Sequence, residues 1–176
     1  MADLLVVSGP PGAGKSTVAP LVCAAFTPAA LVRGDHFFAF WTQGAIPPWL
    51  PAAQEQNEVV VAAAAAASGV FVRGGCTVVY DGVLGVWLLP AFAAAAGLPH
   101  LHYAVLLPSL DLCLERVAGR TGHGFTDTTA AAHMHADFAD ADVDPRHLLQ
   151  VSDQEPDELA RLLLGRYRDG ALRYPG

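Results

Sequence analysis

The sequence predicts an α/β fold, a three-layer sandwich in which helices cover both faces of a five-stranded parallel sheet. Three observations lead there. Short apolar runs alternate with helical segments along all 176 residues. Runs such as Leu-Leu-Val-Val and Thr-Val-Val-Tyr lack polar alternation, as strands buried on both faces do. Hydrophobic residues make up 53% of the chain against 15% charged, which is too apolar for disorder.

Taken in order, strands are expected over residues 3–8, 30–34, 76–81, 100–107 and, more weakly, 147–151. Helices are expected near 15–26, 36–41, 51–73, 86–96, 110–120, 128–139 and 156–169, each entered or left through Gly, Pro, Ser or Asp. The β-α-β order implies right-handed crossovers, with ligands beyond the carboxyl ends of the strands. The length suits one domain spanning 1–176. The Ala-rich runs 62–67 and 93–96 are helix formers.

Bulk properties narrow the partners. A net charge of -7 with no Lys/Arg cluster argues against nucleic acid and anionic membranes. The apolar stretch 59–72 is short for a membrane span, and 83–107 is broken by Pro90, Gly97 and Pro99. Met1-Ala2-Asp3 leads straight into an apolar strand without a basic region, so no secretory signal is expected. Cys23, Cys76 and Cys113 are odd in number and widely spaced, which reads as buried thiols in a reducing cytoplasm. Oligomeric state is not legible.

The strongest motif is Gly9-Pro10-Pro11-Gly12-Ala13-Gly14-Lys15-Ser16-Thr17, which satisfies G-x-x-x-x-G-K-[ST] after a strand and before a helix. Such a loop wraps backbone N–H groups and the positive end of a helix around a polyphosphate. Lys15, the chain's one lysine, would meet the β- and γ-phosphates of ATP, and the Ser16 hydroxyl would ligate Mg²⁺. A guanine-reading Asn-Lys-x-Asp element is excluded, since Asn57 and Lys15 are the sole residues of their types. Motor ATPases call for larger chains, so a small kinase remains.

At these positions the chain resembles the nucleoside-monophosphate-kinase-like group of P-loop kinases, which includes shikimate kinases, gluconate kinases and chloramphenicol phosphotransferases. The resemblance spans nearly the whole length. It rests on the loop above, on Val32-Arg33-Gly34-Asp35-His36-Phe37, on Asp81 closing the third strand, and on Glu115-Arg116-x-x-x-Arg120-x-x-His123. It implies a P-loop NTPase fold with an acceptor-binding insert near 36–73 and a short lid near 117–130. It also implies that Asp35 takes or orients the acceptor's proton, and that Arg116 and Arg120 close over the phosphates. By the same resemblance Pro145-Arg146-His147 approaches the adenine.

Each assignment has a plainer counterpart. Asp35 also suits an N-cap for a helix starting at His36. Arg33 stands where shikimate kinases carry a first acid, which leaves Asp35's part in metal binding open. Asp81 could hold Mg²⁺ through water or simply begin an Asp81-Gly82 turn. Arg116, beside Glu115, also fits a surface helix pair.

Acceptor-binding candidates are Asp35, Phe38, Trp49, Gln54, Asn57, Asp81 and Gly82. Aromatics and prolines between 37 and 51 suit a rigid apolar wall, and Gln54 and Asn57 share a helix face. Residues 82–87 are expected on the opposite wall. Few arginines lie in this half, so an uncharged acceptor fits better than a phosphorylated one. The expected activity is transfer of the ATP γ-phosphate to a hydroxyl of a sugar-like metabolite or antibiotic. The alternatives are a nucleoside or nucleotide kinase and a nucleotide-binding regulatory module without turnover. The pairs His100/His102 and His133/His135 read as structural, because i,i+2 side chains are not expected to converge and no acid or cysteine completes a ligand set.

Overall fold

The five apolar runs become the parallel strands β1 (Leu4–Ser8), β2 (Ala29–Arg33), β3 (Thr77–Asp81), β4 (His100–Pro108) and β5 (Leu148–Val151). The computed structural model describes residues 2–119, 125–152 and 154–176. Sheet order is β2-β3-β1-β4-β5, with β1 paired to both β3 and β4. Val7 lies opposite Asp81 and Ser8 opposite Val105, so β1 and β3 end together and open one mouth.

The helices are α1 (Lys15–Cys23), α2 (Gly34–Phe38), α3 (Gln54–Arg73), α4 (Leu89–Ala96), α5 (Leu110–Ala118), α6 (Thr128–Asp140) and α7 (Pro156–Arg168). They cover both sheet faces. One buried core joins Leu4, Val6, Val78, Tyr80 and Tyr103 to Val61, Ala65 and Phe92 of α3 and α4. The other joins Leu5, Val7, Val79, Leu106 and Leu149 to Val18, Val22, Leu159 and Leu163 of α1 and α7. Odd and even positions of β1 and β3 divide between the two cores, as the period of two requires.

A sixth strand, β6 (Arg173–Pro175), runs antiparallel to the first half of β4, while β5 pairs with its second half. It departs from the expected five strands. Three residues after the turn at Gly170 carry no period to reveal it.

Two local expectations change. The second helix begins at Gly34, with Arg33 at the N-cap and Asp35 already in the first turn, so Asp35 is not a cap. His100 and His102, two apart on a strand, share a face with ring centroids 5.7 Å apart. On α6, by contrast, the two histidines diverge: His133 faces the main cavity and His135 Nε2 lies 2.8 Å from the Pro108 carbonyl. Cys113 is buried, but Cys23 and Cys76 are only half-buried. No helix among the described residues is long and apolar enough to cross a membrane.

Candidate active site

The phosphate loop follows from sterics. Gly12 has φ 84°, and a Cβ there would collide with the Cys113 backbone of α5, so only glycine allows the loop to pass. Lys15 opens α1 and is 8% exposed. Its Nζ donates to the Gly9 and Pro10 carbonyls, each at 2.9 Å, which lays the ammonium across the loop. The loop therefore presents backbone amides, a helix N-terminus and a held cation in one place, the arrangement that suits a polyphosphate. Arg116 Nη1 reaches the Gly12 carbonyl at 3.3 Å, so it belongs to the loop rather than to a surface pair.

Strand alternation separates the two residues ending β3. Asp81 falls on the α1 side, 5% exposed, where the Ser16 hydroxyl hydrogen-bonds its carboxylate. Burial pushes the Asp81 carboxyl up; Ser16 and the Lys15 ammonium oppose that, and Asp35 adds to it. Ser16 and Asp81 thus form a hydroxyl–carboxylate pair of hard oxygen donors, a set that fits Mg²⁺. Asp81 and Gly82 are not among the residues that line the main cavity.

Tyr80, on the opposite face, takes that place. It is buried beneath α2, and a Cβ at Gly34 would collide with its hydroxyl. Burial, followed by the charges of Asp35 and Asp81, pushes its phenol up, so it stays a neutral donor. The sequence held a signal for Tyr80: in a strand, the neighbour of a carboxylate on one face must point to the other.

One cavity of about 1330 Å³ connects the phosphate loop to the expected insert. Lys15, Ser16 and Thr17 line one end, and Asp35 sits beside them. Phe38, Trp49, Gln54 and Asn57 all line the other part, as do Val83, Gly85, Val86 and Trp87 across from them. Trp49 packs edge-on against Phe125 at 5.0 Å, and Trp87 lies against Phe138 at 5.4 Å. Phe40, 73% exposed, and Trp41 stand outside the cavity.

Long-range hydrogen bonds set these walls. Ser8 Oγ donates to the Leu84 carbonyl at 2.7 Å and accepts from the Leu84 N–H at 3.0 Å, and Tyr103 Oη donates to the same carbonyl at 2.6 Å. Gln56, which sequence reasoning missed, clamps the insert: Oε1 accepts from Ile46 N–H and Nε2 donates to Ile46 carbonyl, both at 2.8 Å. Asn57 Nδ2 donates to the Pro48 carbonyl at 2.7 Å, and its Oδ1 is buried with no partner among the described residues. Gln54 instead donates to Glu58 on the exposed side of α3.

A second cavity of about 310 Å³ lies on the other side of the loop, lined by Gly12, Thr17, Arg116, Val151, Gln154 and Pro156 among others. Pro145–His147 line neither cavity. His147 is buried, with Nδ1 2.9 Å from the Tyr103 carbonyl, and Arg146 pairs with Asp144 at 2.9 Å. The segment next to the loop is therefore the one after β5, not the one before it. Arg120 and His123 of the expected lid lie outside the described residues.

Residues 4–141 match the family model described as an AAA domain. No curated protein matches the chain. Among solved structures, a sugar kinase from a Janibacter species is 20% identical with a TM-score of 0.72, covering 96% of this chain and 95% of that one. The tunicamycin resistance protein of Deinococcus radiodurans is 14% identical with a TM-score of 0.70 over the whole of both chains. A gluconokinase from Sinorhizobium meliloti is 22% identical with a TM-score of 0.63, covering 97% and 93%. These likenesses show the fold.

Proposed function

The chain belongs to the AAA domain family, and from that premise we propose that it is an ATP-dependent phosphotransferase, moving the γ-phosphate to a hydroxyl of a small molecule. One observation carries this reading. A single cavity is lined by Gly14, Lys15 and Ser16 of the phosphate loop, by Asp35, and by the aromatics Phe38, Trp49 and Trp87. In-line transfer needs donor and acceptor in one enclosed space.

In the proposed reaction the acceptor oxygen attacks the γ-phosphorus while the bond to the β,γ-bridging oxygen breaks, releasing ADP. Asp35 receives the hydroxyl proton as that bond forms. Lys15 neutralises charge on the phosphate oxygens, and the loop amides hold them in place. Arg116 and the smaller cavity would receive the nucleoside end. Ser16 and Asp81 would hold Mg²⁺, which when bound supplies charge neutralisation at the β- and γ-phosphates.

The acceptor's character follows from the walls. Among the described lining residues Lys15 is the sole lysine or arginine, whereas Asp35, Asp137, Asp140 and Asp142 are acidic. An acceptor without anionic groups suits this balance, and the Asn57 Oδ1 calls for a donor on it. The test is incubation with ATP, Mg²⁺ and a library of sugars, nucleosides and amino-alcohol antibiotics, followed by mass spectrometry. The expected result is a gain of one phosphoryl group on a neutral or cationic compound. ATP uptake without any phosphorylated product would instead support a binding module.

A further inference from the structure

At the end of the sheet away from the phosphate loop, three groups with metal-ligating atoms meet. Asp3 precedes β1, His100 opens β4, and His102 follows it on the same face. One ligand atom from each lies within 4.8 Å of the others. His100 Nε2 is 3.5 Å from Asp3 Oδ1. The Tyr167 hydroxyl of α7 donates to Asp3 Oδ2 at 2.6 Å, and its ring packs edge-on against His102 at 4.5 Å.

The unusual member is His102. It is 6% exposed, and its Nδ1 is buried without a hydrogen-bond partner among the described residues. A buried imidazole nitrogen of this kind is costly unless something fills it.

We propose that Asp3, His100 and His102 form a structural binding site for a transition-metal dication of the Zn²⁺ class, its fourth position filled by water. Two imidazoles and one carboxylate are a zinc-type donor set, whereas Mg²⁺ prefers oxygen alone. Bonds of about 2.0–2.1 Å place tetrahedral ligand atoms roughly 3.3 Å apart. The His100–Asp3 pair is already near that spacing, and no pair has to close by more than about 1.5 Å. Tyr167 serves as the outer-shell partner that orients the carboxylate.

The site also has a built-in competitor. Arg173, exposed on β6, lies with Nη2 3.3 Å from His100 Nδ1. Its charge opposes a bound cation, and it faces the nitrogen that must carry the proton when Nε2 coordinates. Metal binding therefore turns this side chain away. The ion would tie the starts of β1 and β4 to α7, about 16 Å along β1 from the phosphate loop at ~3.3 Å per residue. Its effect belongs to stability rather than to phosphoryl transfer.

The test uses the untagged, chelator-treated full chain without nucleotide, titrated with Zn²⁺ by calorimetry and with Co²⁺ by visible absorption. One ion per chain, a tetrahedral Co²⁺ spectrum and a higher melting temperature with Zn²⁺ are expected. His102→Ala and Asp3→Asn should each weaken binding by about a hundredfold, and Tyr167→Phe by about tenfold. Arg173→Ala, at an exposed position, should tighten it several-fold. No uptake by the wild type at ~100 μM metal, or undiminished uptake by His102→Ala, overturns the proposal. Should His102→Ala fail to fold, Arg173→Ala decides: unchanged or weaker binding sinks the site.

Discussion

The two walls of the main cavity are held by different means. On the phosphate side most contacts are local: Lys15 reaches carbonyls five and six residues before it, and Arg116 on the Gly12 carbonyl is a long-range exception. On the acceptor side, stretches far apart in sequence are pinned together. Ser8 holds Leu84 across 76 residues, Tyr103 bonds the same carbonyl across 19, and Gln56 holds Ile46 across ten. A backbone wall serves any phosphate chain, whereas a side-chain wall can be re-specified by a few substitutions. The family signature therefore lies on the first wall, and under the proposed function the choice of acceptor falls to the second.

The largest effect should come from emptying the phosphate wall of its one ammonium. Lys15→Ala is expected to lower kcat/KM by about 10³-fold, the upper end for removing one preorganised donor. Calorimetry with ATP and Mg²⁺ should show weakened uptake as well. Activity within tenfold of wild type would mean that the triphosphate does not lie on this loop. At the junction of the walls, Asp35→Asn should lower kcat by about 10²-fold, as loss of a general base does, while ATP affinity stays near wild type. A parallel loss of ATP affinity would move Asp35 from the acceptor side to the nucleotide side.

The same contrast explains what the sequence disclosed. The phosphate loop was legible because its geometry demands glycines and a lysine at fixed spacing, and the double-sided sheet because its strands are uninterrupted apolar runs. Phe38, Trp49 and Asn57, picked out because aromatics and prolines after β2 suit a rigid wall, do line the main cavity. Gln56 was missed because its partner is a loop backbone ten residues away, which no helical period encodes. Strand alternation sends Tyr80 into the cavity lining and Asp81 to the α1 side beside Ser16, a split the sequence reading did not draw. The expected divergence of His100 and His102 failed by that rule, since positions two apart on a strand share a face, and Asp3 is brought beside them only by pairing of β1 with β4.

A milder change probes the acceptor wall alone. Gln56→Ala removes both bonds to Ile46, each of about 0.5–1.5 kcal/mol net, so the insert should loosen on α3. Acceptor KM should rise about tenfold with ATP KM unchanged, as steady-state kinetics with each substrate varied would show. Equal rises in both constants would mean that the walls are not independent.

The smallest effect concerns the cost of the buried Asp81 carboxylate. Burial raises the Asp81 pKa in the folded chain above its unfolded value of about 3.8, despite the opposing Ser16 and Lys15. The folded state then holds its proton more tightly, so stability associated with that proton is present below the unfolded pKa and is lost as pH rises through the folded one. Asp81→Asn keeps an acceptor for the Ser16 hydroxyl but removes the buried charge, so without Mg²⁺ its melting temperature should exceed wild type by roughly 2–4 °C at pH 7. The gap should narrow as pH falls into the carboxylate range, and added Mg²⁺ with ATP should stabilise the wild type more than the variant. A variant that melts lower than wild type at pH 7 would mean that Ser16 and Lys15 outweigh burial, leaving the carboxylate a support of the phosphate wall rather than a burden held for the ion.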